Sequence, residues 1–412
     1  MAGPRDALEP VLRHEYGRVV ASLLREFGAH QLAVVEDGLA QAMLEATLGW
    51  RARGLPPDAR AWLFRAARHR ILDELRRHRR ATPLEEAMLE EPAAEVEAPG
   101  LGDDVHDDEL RALLACADPG IPLPSQIVFA LRTLCGFSTR EIATRLVTTE
   151  ENVQKRWERA RDALREVDLE REPLPAERPE RTRAVLRMIY VLFTEGYFAS
   201  SGEAVLRLEL CREALRLGTL VARHPAHTSP EAWALVALLH FHHARRDART
   251  DAAGSPVLLE DQDRTRYRRE ELAAGLDAFQ RAAAGGLTSK YHLEAAIAAE
   301  HAFAPTFADL RWGTILALYE QLQRVDPSPL HGLHAAIALS YAQGPEVALA
   351  RLNALSPPAW LAASHLWLAT SADLHRRLGD LEVARALYAQ AIALAPPLER
   401  AVLERRLAQL GR

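Results

Sequence analysis

Three groups of side chains in this 412-residue sequence have types and spacings that bear on chemistry. His240, His242 and His243 fall within four residues, and Glu260, Asp261, Asp263, Arg264, Arg266, Arg268 and Arg269 follow the apolar triplet Val257, Leu258 and Leu259. Both groups invite a metal reading. Neither has HExxH spacing, a cysteine partner or a fixed set of oxygen ligands, so the histidines read as packing and surface residues. The acidic and basic run reads as a structural corner whose acids cap the next helix and pair with its arginines. LFTEGYFASSGE carries two glycines but no phosphate-loop lysine, and reads as a turn between helices. No catalytic residue, metal or cofactor is expected, and the chain is not read as an enzyme. The third group does different work. Trp62, Arg65, His69, Arg70, Asp73, Arg76, Arg77 and Arg80 form one basic set, and Glu151, Asn152, Gln154, Lys155, Arg156 and Arg159 form another. Such faces attract phosphates, and an indole beside one can stack on an unpaired base.

The elements that must position these residues are helices. On a 100° wheel, residues 59 to 80 put Phe64, Ala67, Ile71 and Leu75 on one stripe, so the basic set occupies the other side. A bland reading stands beside this one, a solvated charged face with Trp62 packed against the preceding helix. In residues 125 to 166, Ser138 or Thr139 can cap a short helix, REIATRLV, and Thr149 can cap a longer one after a three- to four-residue turn. Val153, Trp157, Ala160 and Leu164 then form the buried stripe of the second helix. The alternatives are a helix-turn-helix, whose N-terminal residues reach base edges in the major groove, and an ordinary pair of packed helices. Glu158 and Asp162 dilute the positive face.

Length allows two to four domains, and 48% hydrophobic with 26% charged residues is the balance of a globular protein. The longest apolar run, Ala232 to Phe241, is too short to span a bilayer, and MAGPRDALEP lacks the apolar stretch of a signal peptide. A cytoplasmic protein without a membrane partner is expected. Cys116, Cys135 and Cys211 are odd in number and far apart, which argues against a disulfide framework or a zinc site. The net charge of −6 averages opposite segments: residues 51 to 80 hold ten Arg against Asp58, Asp73 and Glu74, while residues 81 to 110 hold eleven acids and no Lys or Arg.

Helical periodicity fills the chain and no stretch alternates with period two, so the fold class is all-α. The segments are a helical module at 8 to 80, an acidic linker at 81 to 110, a second small module at 111 to 167, and a helical array at 178 to 412, with Pro173, Pro175 and Pro179 separating the last two. In the array, Gly379, Ala384, Tyr388, Ala391 and Pro396 fall where the 34-residue tetratricopeptide (TPR) pattern places Gly, Ala, an aromatic, Ala and Pro. Tyr319 and Pro327 repeat part of the spacing. Such arrays bind or scaffold.

Taken in order, these modules resemble bacterial extracytoplasmic-function (ECF) sigma factors. VEDGLAQAMLEATLGW is similar to the polymerase-clamp helix of sigma region 2, and PPDARAWLFRAARHRILDELRRHRR to its promoter-melting, −10-reading helix. TEENVQKRWERAR is similar to the region 4 recognition pattern S-E-x-T-V-x-x-R-L-x-R-A-R. The stretches LFTEGYFASSGE, LLHFHHARRDARTDAAGSPVLLEDQDR and YHLEAAIAAEHA look like the subgroup with a long TPR-containing C-terminal domain. Against the family pattern E-D-x-x-Q-E-x-F, Glu36 and Asp37 are kept while Ala40, Gln41 and Met43 differ, and Trp157 stands for a leucine.

The resemblance implies a sigma factor that joins core RNA polymerase, through its beta-prime clamp and beta flap, to promoter DNA. It assigns Glu36, Asp37, Gln41 and Met43 to polymerase, Trp62, Arg65, His69, Arg70, Arg76 and Arg77 to −10 binding and melting, and Thr149, Asn152, Gln154, Lys155, Arg156 and Arg159 to the −35 element. The acidic linker is either a nucleic-acid mimic inside polymerase or a solvated spacer. The TPR-like domain either inhibits or assists, under an unknown protein or ligand. The competing function is a helix-turn-helix regulator with a TPR sensor that acts without replacing sigma.

Overall fold

The structure, a computed structural model, describes residues 4–81, 104–118, 120–146, 148–165, 174–197, 206–252, 254–286 and 288–410. Among the described residues the regular structure is helical, apart from one isolated antiparallel bridge between Thr250 and Pro256. Contacts divide the chain into two compact units, Met1–Leu192 and Phe193–Arg412. No helix of the described residues is long and apolar enough to cross a membrane.

The first unit begins with α1 (Pro4–Phe27), α2 (Leu32–Arg53) and α3 (Ala59–Ala81). Val19, Val20, Leu23, Val35, Leu39, Leu63, Ala67 and Ile71 close its core. Gly38 lets α2 approach α3, since a Cβ there would lie 2.7 Å from Ile71 Cγ1. Then follow α4 (Asp104–Cys116), α5 (Leu123–Phe129) running into a π-helical turn at Ala130–Leu134, α6 (Thr139–Arg145) and α7 (Glu150–Leu164). Helix α8 (Arg178–Tyr197) runs across the boundary between the units.

Two features differ from the sequence expectation. Residues 104–110, assigned by charge to the linker, are helical: Leu110, Leu113 and Leu114 draw the segment into the core, and acids suit a helix N-terminus. Buried Asp108 accepts a hydrogen bond from Ser22 Oγ at 3.1 Å and pairs with Arg25 at 3.0 Å. The rest of the acidic segment, 82–103, lies outside the described residues. Secondly, the segments read as two tethered modules pack directly on each other. A Cβ at Gly17 would sit 1.8 Å from the Leu134 carbonyl oxygen, so only glycine permits this approach of α1 to the π-helical turn. Gly136, at φ +67°, lies beneath the Tyr16 ring.

The second unit continues with α9 (Leu208–Arg223), α10 (Pro230–Ala244), α11 (Arg269–Ala283), α12 (Lys290–Phe303), α13 (Trp312–Val325), α14 (Pro329–Ala342), α15 (Pro345–Ala354), the single turn α16 (Ala359–Ala362), α17 (His365–Leu378), α18 (Leu381–Leu394) and α19 (Pro397–Gln409). Helix α10 is apolar on nearly every side and is packed by α9, α11 and α12. The repeat-like residues do local work: Gly379 ends α17 at φ +90°, while Ala384, Tyr388 and Ala391 are buried where α18 meets its neighbours.

The acidic and basic corner holds its shape through the backbone. Asp263 caps its own turn by accepting from Thr265 N at 3.0 Å, whereas Arg264 Nη1 donates to the carbonyls of His301 and Ala304 at 2.7 and 2.9 Å. His240 and His243 both donate through Nδ1 to Glu271, each at 2.7 Å, and Arg246 adds a contact at 3.2 Å. Burial alone would raise the Glu271 carboxyl, yet these hydrogen bonds outweigh it and hold the group well below its ordinary range. Among the described residues no three metal-ligating side chains cluster.

Candidate nucleic-acid interface

Two caps set the start of each helix in the 138–164 pair. The Ser138 hydroxyl accepts from Glu141 N at 3.2 Å while the Glu141 carboxylate accepts from Ser138 N at 2.8 Å, and Thr149 Oγ1 accepts from Asn152 N at 3.2 Å. With α7 anchored, Val153, Trp157, Ala160 and Leu164 all point into the unit. The opposite face is what remains for a partner: Asn152, Lys155 and Arg159 are exposed and Arg156 is half-buried. Lys155 pairs with Glu151 at 2.6 Å, but both are open to solvent, so a phosphate can compete for the ammonium. Thr149 is occupied as a cap. Gln154 turns inward, accepting from Arg132 Nη1 at 3.0 Å and donating to Glu158 at 2.9 Å.

Trp157 has a physical role that leucine lacks. Its ring lies 3.9 Å from the Arg132 guanidinium carbon and 5.0 Å from that of Arg161, so it is a platform for two cations.

The α3 ridge divides in two. Arg65 is exposed, with no carboxylate partner among the described residues. His69 and Arg76 lean on Asp73 at 3.5 and 3.6 Å, and Arg77 on Glu74; these are surface pairs worth under about 1 kcal/mol each. Arg70 is committed to α2, donating to Gln41 Oε1 at 3.1 Å and pairing with Glu45. Trp62 is half-buried and meets Trp50 edge-on at 5.4 Å, the packing contact of the blander reading. The side chain of Arg80 lies outside the described residues.

On α2, Asp37 and Gln41 face solvent and Met43 is half-buried. Glu36 does not face solvent. It is 8% exposed, accepts from Thr133 Oγ1 at 2.9 Å and lies 3.9 Å from Arg132, because it shares the side of α2 that carries Leu32, Val35 and Leu39. Burial raises its carboxyl above the ordinary range, against the pull of Arg132 and Thr133. Sequence reading also missed two residues: Leu44 and Leu48 are 63% and 64% exposed, continuing the Asp37–Gln41 stripe at helical spacing. Their signal was present in the sequence, since both fall out of phase with the buried series Val35, Leu39, Ala42 and Ala46.

The first unit is all-α, with a basic helix face on α3 and a face of mixed cations and acids on capped α7. The comparisons make it particular. The Sigma-70 region 2 family matches residues 12–81, which take in most of α1 and all of α2 and α3, and a family of unknown function (DUF6596) matches residues 181–283. Over 384 residues the chain is 36% identical to "Uncharacterized protein R00370" of Rhizobium meliloti (strain 1021), covering 92% of this chain and 89% of that protein. The chain belongs to the same family as that protein; its region 2 supports a sigma-70 family factor, and a DUF6596 domain follows it. Sigma-70 region 2 supports a sigma-factor role in binding RNA polymerase and implies promoter DNA as a second partner. No solved structure matches.

Proposed function

We propose that the chain is a sigma factor of the ECF type that directs core RNA polymerase to −10 and −35 promoter elements. In this reading α6 and α7 act as a helix-turn-helix at the −35 element. Asn152, Lys155, Arg156 and Arg159 touch DNA, and Arg65, His69, Arg76 and Arg77 of α3 meet the −10 strand. The outward stripe of Asp37, Gln41, Leu44 and Leu48 docks on the polymerase clamp. The second unit is a TPR-like regulatory domain whose effector shifts the balance between docked and undocked states. The observation that carries the reading is the pair of caps and the fully buried stripe of α7, which leave Asn152, Lys155, Arg156 and Arg159 on the outer side of the helix, behind a first turn that carries Glu150 and Glu151. Glu36 enters only after α4–α7 lift from α1 and α2.

The test is reconstitution. The purified chain is mixed with core polymerase, resolved by size exclusion, and assayed on a promoter template carrying a pre-opened bubble. Co-elution and polymerase-dependent initiation are expected. Tight, salt-dependent binding to duplex promoter DNA without polymerase, and none to core, defines a regulator instead and overturns the sigma reading.

A further inference from the structure

Within the first unit, the side chains that reach α3 and α7 start from one short stretch of α2. The π-helical turn is seated on α1, where Gly17 meets the Leu134 carbonyl and Gly136 lies beneath Tyr16. From this turn Arg132 reaches both sides of the seam. Its Nη1 donates to Gln154 Oε1 on α7 at 3.0 Å, and its guanidinium carbon stands 3.9 Å from the centre of the Trp157 ring. Its Nη2 lies 3.9 Å from the Glu36 carboxylate on α2, to which the adjacent Thr133 donates at 2.9 Å. Further along α2, Gln41 accepts from Arg70 of α3 at 3.1 Å. From Glu36 to Gln41 the helix rises only about 8 Å, so the two networks are anchored little more than one turn apart.

Promoter geometry asks for separation. Elements two turns of duplex apart are about 70 Å from each other. A compact unit of residues 1–192 has a radius of gyration of about 16 Å, too small to hold both. We infer that the packed first unit is a resting form unable to grip the −10 and −35 elements together, and that Arg132 is the latch which keeps α5–α7 on α1 and α2 until core polymerase parts them. The inference rests on the sigma reading above.

The middle of the seam is polar, which suits surfaces that separate. Glu36 is buried, and burial raises its carboxyl against the pull of Arg132, so its charge is incompletely compensated. Between α1 and α4, buried Ser22 donates to Asp108 at 3.1 Å. Apolar side chains would fill a permanent core at least as favourably as such pairs, whereas polar groups on each half regain water once the halves part. The sequence between α3 and α4, residues 82–103, is long enough to reach about 70 Å.

The experiment measures one distance in the full-length chain. Nitroxide labels are placed at His30→Cys, between α1 and α2, and Ala163→Cys on α7; both positions are exposed and outside the proposed polymerase and DNA contacts. Cys116, Cys135 and Cys211 are buried, so labelling falls on the introduced thiols. Double electron–electron resonance should give one short distance in the free chain, lengthened by tens of ångströms in the complex with core polymerase and promoter DNA. Arg132→Met, which removes the guanidinium and keeps an apolar stem, should populate the long distance without polymerase. Thr133→Val should do so to a smaller extent, and it carries the latch test if Arg132→Met fails to fold. A long distance in the free wild-type chain overturns the inference. So does a short distance retained in a complex that initiates transcription, an outcome that leaves the sigma reading standing. Distances unchanged in both variants overturn the latch, and failure to bind core polymerase overturns the sigma reading and this inference with it.

Discussion

The Thr133 hydroxyl donates to the Glu36 carboxylate at 2.9 Å, in a buried seam between α2 and the π-helical turn, 97 residues apart in the chain. The acid that the resemblance assigns to polymerase docking is thereby used inside the protein. Thr133→Val keeps the shape and removes the donor, leaving an under-satisfied buried carboxylate. A loss of about 1–3 kcal/mol in urea unfolding is expected. If Glu36 must be released for docking, the same variant should bind core polymerase more tightly in a pull-down titration; weaker binding contradicts the requirement for release.

Gly17 and Gly313 should respond in opposite directions to the same change. Gly17→Ala forces a methyl group to 1.8 Å from the Leu134 carbonyl oxygen, so α1 must withdraw from the turn, at a cost of about 1–3 kcal/mol or more. A methyl group at Gly313 meets nothing within 4 Å, and alanine in that helical position should be neutral or stabilising by up to about 1 kcal/mol. Equal unfolding midpoints for the two variants would count against the packing of α1 on residues 130–134.

On α7, the outward and inward polar residues should separate by salt dependence. Lys155→Ala and Arg159→Ala should each weaken promoter binding by the holoenzyme and lower the slope of log affinity against log salt by about one. Gln154→Ala removes a partner of Arg132 and Glu158, so its effect should appear in stability with the salt slope preserved. Fluorescence anisotropy over a salt series distinguishes these outcomes.

Acid should loosen the second unit through its buried histidines. Burial lowers His301 from 6.5 to about 3, with Arg245 and Arg264 adding to the effect, and burial lowers His334 to about 4. The unfolded chain therefore binds protons that the folded chain refuses. The contribution of each group is fully present above pH 6.5 and declines as pH falls below it, at up to about 1.4 kcal/mol per pH unit per histidine. Glu271, whose carboxyl is depressed, adds a further loss only below its ordinary value of 4.5. Urea midpoints at pH 7.5 and 5.5 should differ, and His301→Gln should narrow the gap; identical midpoints would show these rings to be solvated.

Much of the candidate site was legible from spacing. The buried stripe of Val153, Trp157, Ala160 and Leu164 follows from a period of 3.6, and the Ser138 and Thr149 caps follow from residue type, because both are local properties of a helix and its first turn. The all-α class is legible for the same reason, as is the turn at Gly379, which needs a left-handed backbone. Nonlocal pairing is another matter. Nothing in the neighbours of Glu36 announces Thr133, and nothing near Arg70 announces Glu45 or Gln41 as its destination. Charge alone made a linker of residues 104–110, although the apolar spacing that follows draws them into α4.

Amino-acid order by itself determined which segments are helical, where they start and stop, and which stripe of each is apolar, since those depend on residues a few positions apart. The tertiary structure alone decided which polar residues remain available. A side chain such as Glu36, Arg70, Gln154 or Arg245 is either presented to solvent or consumed within the protein, depending on what a distant segment places beside it.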